Sequence, residues 1–471
     1  MPNYDAVVNN GEVVFPDGTV RKAHIGIKDG VIADFSSSRL AGRNEIDADN
    51  LTVFPGVVDQ HFHVFVGFGW ETWENATRAA ARGGITTVIK MPLDTPPTIT
   101  VQELQESTAR AESESYIDHA FLGGFVPDNP EELGKQAEAG VVGYKLFQDH
   151  TAPPGMYPGL TSGQQYEAFA RIAKLGLTAS IHSEDPFLID VVSDNLRKAG
   201  RNDPAVWEDA RPPVSELLGI LRTVLLAKET GCRAVLAHVS IPLGVKAAKE
   251  AREEGHDVYV ETCPHYLLLT KNHLAQDARL KYNPPSREKD EVEKMWRLLA
   301  EGYIHSIGSD HAPLKKDRSV NIWDMAPGAG NVVEIMLPLI ATEAVFNRGL
   351  AISRIAEVLA SNPARIFGLY PKKGCLGIGS DADMVLLDLK ARERLNSRSL
   401  CYIDEEGKWS PYENWAIRAV PRMTILRGEI IMREGQMLVK PGFGQRLTVL
   451  GSSQSRYAGY TKGTAIDALK E

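Results

Sequence analysis

The feature that most limits how this chain can fold is a regular alternation of short apolar runs with amphipathic helical segments. Between about residues 55 and 370, eight apolar runs recur every 30 to 40 residues or so, and helical patterns that end in glycine lie between them. Strands that alternate with helices in this way pair in parallel. Eight such units are typical of a (β/α)8 TIM barrel, an α/β fold. A doubly wound open sheet is the alternative, but no G-x-G-x-x-G motif follows a predicted strand.

Both ends of the chain have a different pattern. Residues 4–54 and 379–439 contain short alternating segments, separated by turn sequences such as Asp17-Gly18 and Asp29-Gly30. We therefore predict a small β-sandwich domain built from residues 1–54 and 371–445, and a barrel over residues 55–370. The polar residues 446–471, rich in glycine and serine, are predicted to form a tail at the surface or at a subunit contact.

The composition excludes several classes of protein. The 471 residues carry a net charge of −9 and no basic stretch, which argues against nucleic-acid binding. No uncharged apolar run reaches the roughly 18 residues of a membrane-spanning helix, and the first residues lack the basic and apolar regions of a signal peptide. The four cysteines form no CxxC pair, so we predict free thiols. We therefore expect a cytoplasmic protein.

Five of the predicted strands end in side chains that can bind a metal. Two histidines stand two residues apart on the first strand, so both imidazoles point into the same cavity. Because active sites of TIM barrels lie at the carboxyl ends of the strands, the whole set is expected to meet at one mouth. Imidazole and carboxylate donors suit zinc, with manganese, cobalt or iron as alternatives. The predicted ligands are His61, His63, Lys145, His182, His238 and Asp310.

Motifs along nearly the whole chain resemble the amidohydrolase superfamily. They are PGVVDQHFH, GGITTVIKMP, VVGYKLF, ASIHSED, AHVS, ETCPHYL, KYNPPSR, GSDHAP, NPARIFGL and KGCLGIGSDADMVLLDL. Within the superfamily the chain is most similar to the cyclic amidohydrolases, which comprise hydantoinases and dihydropyrimidinases, allantoinases and dihydroorotases. The resemblance implies two divalent metal ions. His61, His63 and Asp310 would hold the more buried ion, and His182 and His238 the more exposed one.

The resemblance also implies a chemistry for the remaining ligand. Carbon dioxide would convert Lys145 into a carbamate that bridges the two ions, whereas an ammonium group would repel them. A bridging hydroxide would attack the ring carbonyl, and Asp310 would accept its proton as general base and deliver it to the departing ring nitrogen as general acid. The product would be an N-carbamoyl amino acid or a ureido acid.

Departures from the family patterns bear on the substrate. Dihydroorotases carry an arginine and a histidine where this chain has Phe65 and Leu314, and the loss of these cationic partners argues against a substrate carboxylate. D-hydantoinases and dihydropyrimidinases carry a tyrosine where this chain has His150. That imidazole could donate the same hydrogen bond, or it could be a surface residue. The aromatic residues Phe65, Phe68 and Trp70 favour a hydrophobic substituent over a ureido group, unless they only pack their own loop.

Ring recognition is the second part of the substrate prediction. By the resemblance, Asn283 could bond the ring imide, and Gly328 and Gly330 could let the backbone approach the ring. Both stretches could equally be plain turns. We interpret His265 and His311 as structural rather than as metal ligands. The predicted substrate-binding residues are Asn283, Phe65, His150, Gly328 and Gly330.

The preferred interpretation is a hydantoinase that acts on 5-substituted hydantoins. Allantoinase is second, and dihydropyrimidinase and dihydroorotase are less favoured. Three hypotheses come from other classes: a dihydropyrimidinase-like scaffold without metal, a mononuclear deaminase that would not need Lys145, and an open α/β binding protein. The resemblance further implies a homo-oligomer, either a dimer or a tetramer. The expected ligand is a small cyclic amide, and neither a nucleic acid nor a membrane is expected to bind.

Overall fold

The centre of the fold is a parallel sheet of eight strands, in which neighbours along the chain are also neighbours in space. The computed structural model describes residues 4–65, 71–149, 157–401 and 408–449. A parallel bridge between Phe62 and His311 joins the first strand to the residues that follow the last, and Gln60 Nε2 donates to Ser306 Oγ at 2.8 Å across the same seam. This arrangement is the predicted (β/α)8 barrel.

The strands fall into three groups along the chain. The N-terminal strands are β1 (Tyr4–Val14), β2 (Val20–Lys28), β3 (Val31–Ser36), β4 (Gly42–Asp47) and β5 (Thr52–Pro55). The barrel strands are β6 (Val57–Phe62), β7 (Ile85–Lys90), β8 (Asp118–Gly124), β9 (Gly143–Phe147), β10 (Thr178–His182), β11 (Arg233–Leu236), β12 (Val258–Thr262) and β13 (Ser306–Ile307). The C-terminal strands are β14 (Met384–Asp388), β15 (Glu393–Arg394), β16 (Ala416–Ile417), β17 (Val420–Leu426), β18 (Glu429–Arg433) and β19 (Gln436–Met437).

Helices separate the barrel strands. They are α1 (Trp73–Arg82), α2 (Val101–Glu114), α3 (Glu132–Glu138), α4 (Ser162–Leu175), α5 (Pro186–Lys198), α6 (Val206–Ala210), α7 (Pro213–Thr230), α8 (Pro242–Glu253), α9 (Pro264–Leu268), α10 (Lys271–Gln276), α11 (Lys289–Ala300), α12 (Met336–Ala341), α13 (Ile352–Ala356) and α14 (Asn362–Ile366). Short 3-10 turns span Ala278–Leu280 and Ser397–Ser399, and π-helical turns span Thr342–Asn347 and Glu357–Ser361. No helix of the described ranges is both long and apolar enough to cross a membrane.

The helix ends follow from local capping. Helix α4 begins after Thr161, whose side chain accepts from the backbone N–H of Gln164, while the Gln164 side chain accepts in return from the N–H of Thr161. The same helix ends at Gly176, which has a φ of 66°, and α7 ends at Gly231 with a φ of 67°. A residue in this left-handed conformation terminates a helix, and glycine adopts it without steric cost. The predicted glycine stops of these two helices are confirmed.

The strands of both chain ends form a second, mixed sheet. Its order is β19-β18-β17-β14-β5-β1-β2-β3, and β4 also pairs with β1. Apolar side chains from both ends, among them Val8, Ile25 and Leu386, form one buried core. The predicted small β domain built from both chain ends is confirmed. Within it hydrogen bonds join nine strands, and β4 and β5 both pair in parallel with β1. The limits 1–54, 55–370 and 371–445 stay predictions.

Only the first residues of the predicted tail lie within the described part of the chain. The N–H of Leu447 donates to the carbonyl of His119 at 2.8 Å, so this stretch runs beside β8 of the barrel. Residues 450–471 lie outside the described residues. The four cysteines are buried free thiols, as predicted.

A buried lysine joins the barrel to the second sheet. The Nζ of Lys373 lies 2.5 Å from Asp118 Oδ2, at the start of β8. It also lies 2.8 Å from a carboxylate oxygen of Asp381 and 2.8 Å from one of Asp383, and both residues lead into β14. Arg427, in the turn after β17, bonds Asp118 as well. Burial disfavours the charged carboxylate of Asp118, but the two cations outweigh that effect and lower its pKa.

We predict that Lys373→Met lowers the free energy of unfolding by about 3–5 kcal/mol, because losing the ammonium leaves buried carboxylates without their partner. Urea unfolding followed by circular dichroism measures the loss. Lys22→Met is the matched control, since Lys22 forms an exposed pair with Asp49 at 3.9 Å, and such pairs contribute about 0–1 kcal/mol. Equal losses in the two variants would contradict the role given to Lys373.

Candidate active site

The six predicted metal ligands meet in one cavity at the carboxyl ends of the barrel strands. They line a cavity of about 380 Å³, and they are His61, His63, Lys145, His182, His238 and Asp310. They come from β6, β9, β10 and the segments after β11 and β13. Parallel strands present all their carboxyl ends at the same face of a barrel, so residues far apart in sequence share this floor.

Three of the six residues form a compact donor group. The Nε2 atom of His61 lies 3.3 Å from Asp310 Oδ1, and the Nε2 atom of His63 lies 3.4 Å from the same oxygen. Metal–ligand bonds of about 2.0–2.1 Å place neighbouring donors of a tetrahedral site about 3.3–3.4 Å apart. Burial lowers the pKa of His63 to about 4, which keeps the imidazole in the neutral form that binds cations. The spacing and protonation of this group therefore fit a divalent metal.

The second pair of histidines lies beside the first group. The Nδ1 atom of His182 lies 3.1 Å from the Nε2 atom of His238, and the His238 ring centroid lies 5.3 Å from that of His61. Burial, together with the charges of His182 and Lys145, lowers the pKa of His238 well below its ordinary value. The two inward-facing nitrogens therefore offer a second set of donors next to the first.

Lys145 lines the same cavity as a buried side chain, and its Nζ lies 5.2 Å from the ring centroid of Phe147. Its side chain is fully buried, and its Nζ has no hydrogen-bond partner among the described residues. Burial lowers its pKa to about 8, although Glu261 and Asp310 oppose the shift. Its charge influences the pKa of both His63 and His238. A buried amine without a hydrogen-bond partner among the described residues fits a lysine that is modified or that binds a ligand.

Carboxylates behind two of the imidazoles set the orientation of their rings. His61 Nδ1 lies 2.9 Å from Glu261 Oε1. His182 Nε2 lies 2.8 Å from Glu184 Oε2 and 3.4 Å from Asp149 Oδ2. A proton held on the outer nitrogen leaves the inner nitrogen free to bind a metal. Sequence reasoning missed these carboxylates, although Glu184 stands only two residues after His182 in the HSED motif.

A buried arginine neutralises the carboxylates behind His182. The guanidinium of Arg211 lies 3.2 Å from Asp149 Oδ2 and also bonds Glu184. Burial disfavours the charged imidazolium of His182, but Asp149 and Glu184 outweigh that effect and raise its pKa to about 9. The imidazole of His182 is therefore held as the imidazolium at neutral pH, so a cation that binds its inner Nδ1 has to displace the proton there.

Two of the ligand positions have unusual backbone conformations. His238 has a φ of 42° and Asp310 a φ of 49°. Non-glycine residues rarely adopt the left-handed region, and such strain of about 1–3 kcal/mol concentrates at functional sites. Phe65, at the edge of the same cavity, has a φ of 53°. The fold therefore holds several cavity residues in conformations that local sequence preference disfavours.

The walls above this polar floor are mainly apolar. Phe65 stacks on His63 with ring centroids 4.8 Å apart and an angle of 7° between the planes. Phe65 belongs to a cluster with Leu93 and Phe147, and Leu314 packs against it. All four side chains line the cavity. The positions at which dihydroorotases carry cations are therefore part of an apolar wall.

The remaining predicted substrate residues have different placements. Asn283 and Gly328 line the cavity. The carbonyl and the N–H of Gly330 pair with Ala312 at 3.3 and 3.1 Å, and Gly330 is not among the lining residues. Its contact with substrate stays a prediction. His150, together with Phe68 and Trp70 of the predicted aromatic stretch, lies outside the described residues.

Two further histidines are buried near the cavity without lining it. His265 packs on Tyr266 and Tyr282, with centroid distances of 4.1 and 4.5 Å. His311 stacks on Phe62 at 5.6 Å. These contacts fit the structural role that was predicted. The lining also includes Lys281, Trp323 and Met325, which sequence reasoning did not single out. Trp323 and Met325 lie in a loop without a motif, whereas Lys281 begins the KYNPPSR motif, in which only Asn283 was considered.

Comparison with known proteins agrees with this geometry. The sequence model of the amidohydrolase family matches residues 52–431. The L-hydantoinase of Paenarthrobacter aurescens is 35% identical over 455 residues, which cover 94% of this chain and 98% of that protein. The allantoinase of Solibacter usitatus is 36% identical over 453 residues, which cover 94% of this chain and 96% of that protein.

Solved structures show the same likeness. The structure of L-hydantoinase (dihydropyrimidinase) from Arthrobacter aurescens superposes with a TM-score of 0.90 at 35% identity, over 94% of this chain and 100% of that one. A D-hydantoinase structure superposes with a TM-score of 0.86 at 28% identity, over 94% of this chain and 98% of that one. The family match covers most of the chain, so this protein belongs to the amidohydrolase family and is a hydrolase of the cyclic amidohydrolase type.

Proposed function

We propose that this enzyme opens the ring of a hydantoin by hydrolysing its cyclic amide bond and releases an N-carbamoyl amino acid. The observation that carries the proposal is the meeting of five imidazole and carboxylate donors and one buried lysine on the floor of a single cavity. The similarity to an L-hydantoinase over nearly the full length of both chains supports the same reaction.

Two divalent cations fit the donor atoms on this floor. His61, His63 and Asp310 would hold one ion, and His182 and His238 the other. Zinc is the expected metal, with manganese or cobalt as alternatives, because imidazole and carboxylate donors suit all three. When bound, such a pair of ions activates a water molecule and polarises the carbonyl that it attacks.

Lys145 is proposed to act as a carbamate between the two ions. In that modification the neutral amine nitrogen would form a bond to the carbon of carbon dioxide, one carbon–oxygen π pair would move onto oxygen as its negative charge, and a proton would pass from the nitrogen to water. Burial favours the neutral amine, whose pKa is lowered to about 8. The carbamate would replace a buried positive charge with an anionic group, which supports its place beside the donors of both ions.

Asp310 is proposed to move the proton. Its Oδ1 atom faces His61 and His63, so we assign the proton to Oδ2. Burial raises the pKa of this carboxyl, but the two imidazoles outweigh that effect and lower it, which keeps the carboxylate ionised. Asp310 would accept a proton from the attacking water and donate it to the ring nitrogen as the carbon–nitrogen bond breaks.

The walls of the cavity favour a neutral ring with an apolar substituent. Phe65 and Leu314 offer no charge to a substrate carboxylate, and the exposed carboxylate of Asp324 lies at the lining. Lys281 also lines the cavity, but its ammonium donates to two backbone carbonyls. A substrate carboxylate would therefore find no free cation among the described residues of this wall and would be repelled by Asp324, which argues against dihydroorotate. Allantoin is the second candidate, since the Solibacter usitatus relative is an allantoinase.

The compartment and the oligomeric state stay predictions from the sequence. We expect a cytoplasmic homo-oligomer, a dimer or a tetramer.

We predict that the metal-loaded enzyme opens 5-benzylhydantoin and hydantoin, and that allantoin, dihydrouracil and dihydroorotate are poorer substrates. The apolar walls stabilise a hydrophobic substituent, whereas a ureido or carboxylate group would lose water contacts without finding partners there. Ring opening of each compound, with both enantiomers of 5-benzylhydantoin, is measured by chromatography with zinc, manganese or cobalt supplied. Turnover of allantoin alone would replace hydantoinase by allantoinase, and turnover of dihydroorotate would refute the argument from Phe65 and Leu314.

We predict that Lys145→Ala abolishes ring opening and halves the metal content, because the bridging group is lost. Metal per chain is measured by elemental analysis, together with activity. Lys135→Ala is the matched control, since Lys135 is an exposed lysine paired with Glu132 at 2.7 Å. Full activity of the Lys145 variant would refute a binuclear centre, and a wild-type enzyme that binds no metal would favour the non-enzymatic scaffold.

We predict that Glu184→Gln weakens zinc binding about 10- to 100-fold, because the carboxylate that holds the outer proton of His182 loses its charge. Competition with a chelator measures the affinity and needs no substrate. Glu167→Gln is the control, since Glu167 pairs with Arg171 on the exposed surface of α4. An unchanged affinity would show that Glu184 does not support the metal site.

A further inference from the structure

One wall of the cavity is formed by a short segment of the loop that follows β13. Six consecutive residues of this segment line the cavity, and they are Trp323, Asp324, Met325, Ala326, Pro327 and Gly328. None of them takes part in the proposed chemistry. Trp323 and Met325 are nevertheless nearly buried, with 9% and 3% of their surface exposed. The segment therefore packs as an ordered wall rather than as an open surface loop.

Lys281 contacts both ends of this wall. The Nζ of Lys281 donates to the carbonyls of Ile322 and Trp323 at 2.8 and 3.1 Å. The carbonyl of Lys281 accepts from the N–H of Gly328 at 3.0 Å. Lys281 is itself 3% exposed. Lys316 Nζ also donates to the carbonyls of Gly328 and Lys281, at 2.5 and 3.1 Å. The end at Trp323 is held by the side chain of Lys281, and the end at Gly328 by the backbone of Lys281 together with Lys316.

An aromatic contact connects the wall to a predicted substrate residue. The Nζ of Lys281 lies 3.9 Å from the ring centroid of Trp207, and Trp207 meets Trp323 edge to face at 5.9 Å. The Nε1 atom of Trp207 donates to Asn283 Oδ1 at 3.2 Å. The wall and the side chain proposed to bond the ring imide are therefore held in one packed unit.

Trp323 can offer only apolar surface to a substrate. Its Nε1 atom donates to the carbonyl of Arg201 at 2.8 Å, and the guanidinium of Arg197 lies over the ring at 4.2 Å. The polar atom and one face of the indole are therefore occupied. Trp323 still lines the cavity, so the part of its indole that faces a substrate is hydrocarbon surface.

The apolar cluster of Phe65, Leu93 and Phe147 also lines this cavity. The cavity thus combines two apolar surfaces, the cluster and the 323–328 wall, with the polar floor of metal ligands. A substituent on the ring carbon would lie against apolar walls while the ring amide reaches the floor. Flat aromatic groups suit such walls, because aromatic contacts contribute about 0.5–1.5 kcal/mol beyond their buried area.

We propose that Trp323 is a specificity-determining residue that selects substrates with an aromatic substituent, and that Lys281 is the positioning residue that holds Trp323 in place. The proposal rests on the proposed function, since it names the class of hydantoin that the site accepts. It assigns selectivity to the loop after β13, a part of the chain in which the sequence showed no substrate motif beyond Gly328 and Gly330.

The test compares 5-benzylhydantoin with unsubstituted hydantoin in the metal-loaded enzyme. For each compound, kcat/KM is measured from ring opening in that enzyme, and Kd from calorimetry on the same chain stripped of metal, in which no turnover is expected. Trp323→Ala is expected to lower the preference for the benzyl compound at least about tenfold, the scale on which an apolar pocket discriminates, with hydantoin itself little affected. Trp323→Phe is expected to restore most of the preference, because it returns an aromatic ring.

Lys281→Met tests the positioning role. This variant keeps the apolar stem and removes the two hydrogen bonds to the wall, so it is expected to lower the same preference while metal content stays unchanged. Trp415→Ala is the matched control, since Trp415 packs on Tyr412 at 5.1 Å and does not line the cavity. Its preference is expected to equal that of the wild type.

The outcomes separate this proposal from the proposed function. An unchanged preference in Trp323→Ala, or equal losses for both compounds, overturns the role of Trp323. If the wild-type chain has the same Kd for 5-benzylhydantoin as for hydantoin, the role of Trp323 is overturned, regardless of the rate of ring opening. If no hydantoin is opened but Trp323→Ala still loses the binding preference, the proposed function fails and the assignment of Trp323 stands.

Discussion

Closure of the parallel sheet is the constraint on which the rest of this structure depends. The bridge between Phe62 and His311 joins the first barrel strand to the residues that follow the last one, and Ser309 Oγ donates to the buried carboxylate of Asp59 across the same seam. Once the sheet is closed, every strand delivers its carboxyl end to one mouth. His61 and Asp310, which are 249 residues apart in the chain, thereby come within 3.3 Å. The chemistry of the site is a consequence of this closure.

The barrel floor would be unstable without the charges placed around it. Imidazoles that share a small buried space are kept in defined orientations by Glu261 behind His61 and by Glu184 behind His182. Arg211 in turn balances the carboxylates near His182. At the amino end of β8, opposite to the cavity, Lys373 forms an ion pair with Asp118 and so connects the barrel to the second sheet. The buried charges of these two regions lie in paired groups, which makes their burial tolerable, whereas Lys145 has no hydrogen-bond partner among the described residues.

The sequence was a good guide to the elements and to the residues that line the cavity floor, and a poor guide to loop contacts. Periodicity predicted the eight barrel strands, and strand-end positions together with the resemblance pointed to the six residues that line the cavity floor. Their role as metal ligands stays a prediction, and so does the substrate contact of Gly330, which pairs with Ala312. Trp323 and Lys281 were not anticipated, because loop residues acquire a role only through contacts that no periodic pattern encodes. The single mixed sheet of the β unit likewise follows from pairing partners, which alternation along a strand does not specify.

By itself, the sequence determined that this chain is an alternating α/β protein with imidazole, carboxylate and lysine side chains at its strand ends, and that it belongs among the cyclic amidohydrolases. Those properties depend on local periodicity and on the identity of short motifs. The tertiary structure alone decided which carboxylates lie behind the histidines. It also decided that the buried Nζ of Lys145 has no hydrogen-bond partner among the described residues, and that Lys281 donates to the carbonyl of Trp323 at the cavity wall. These are contacts between distant parts of the chain, and they exist only after the barrel has closed.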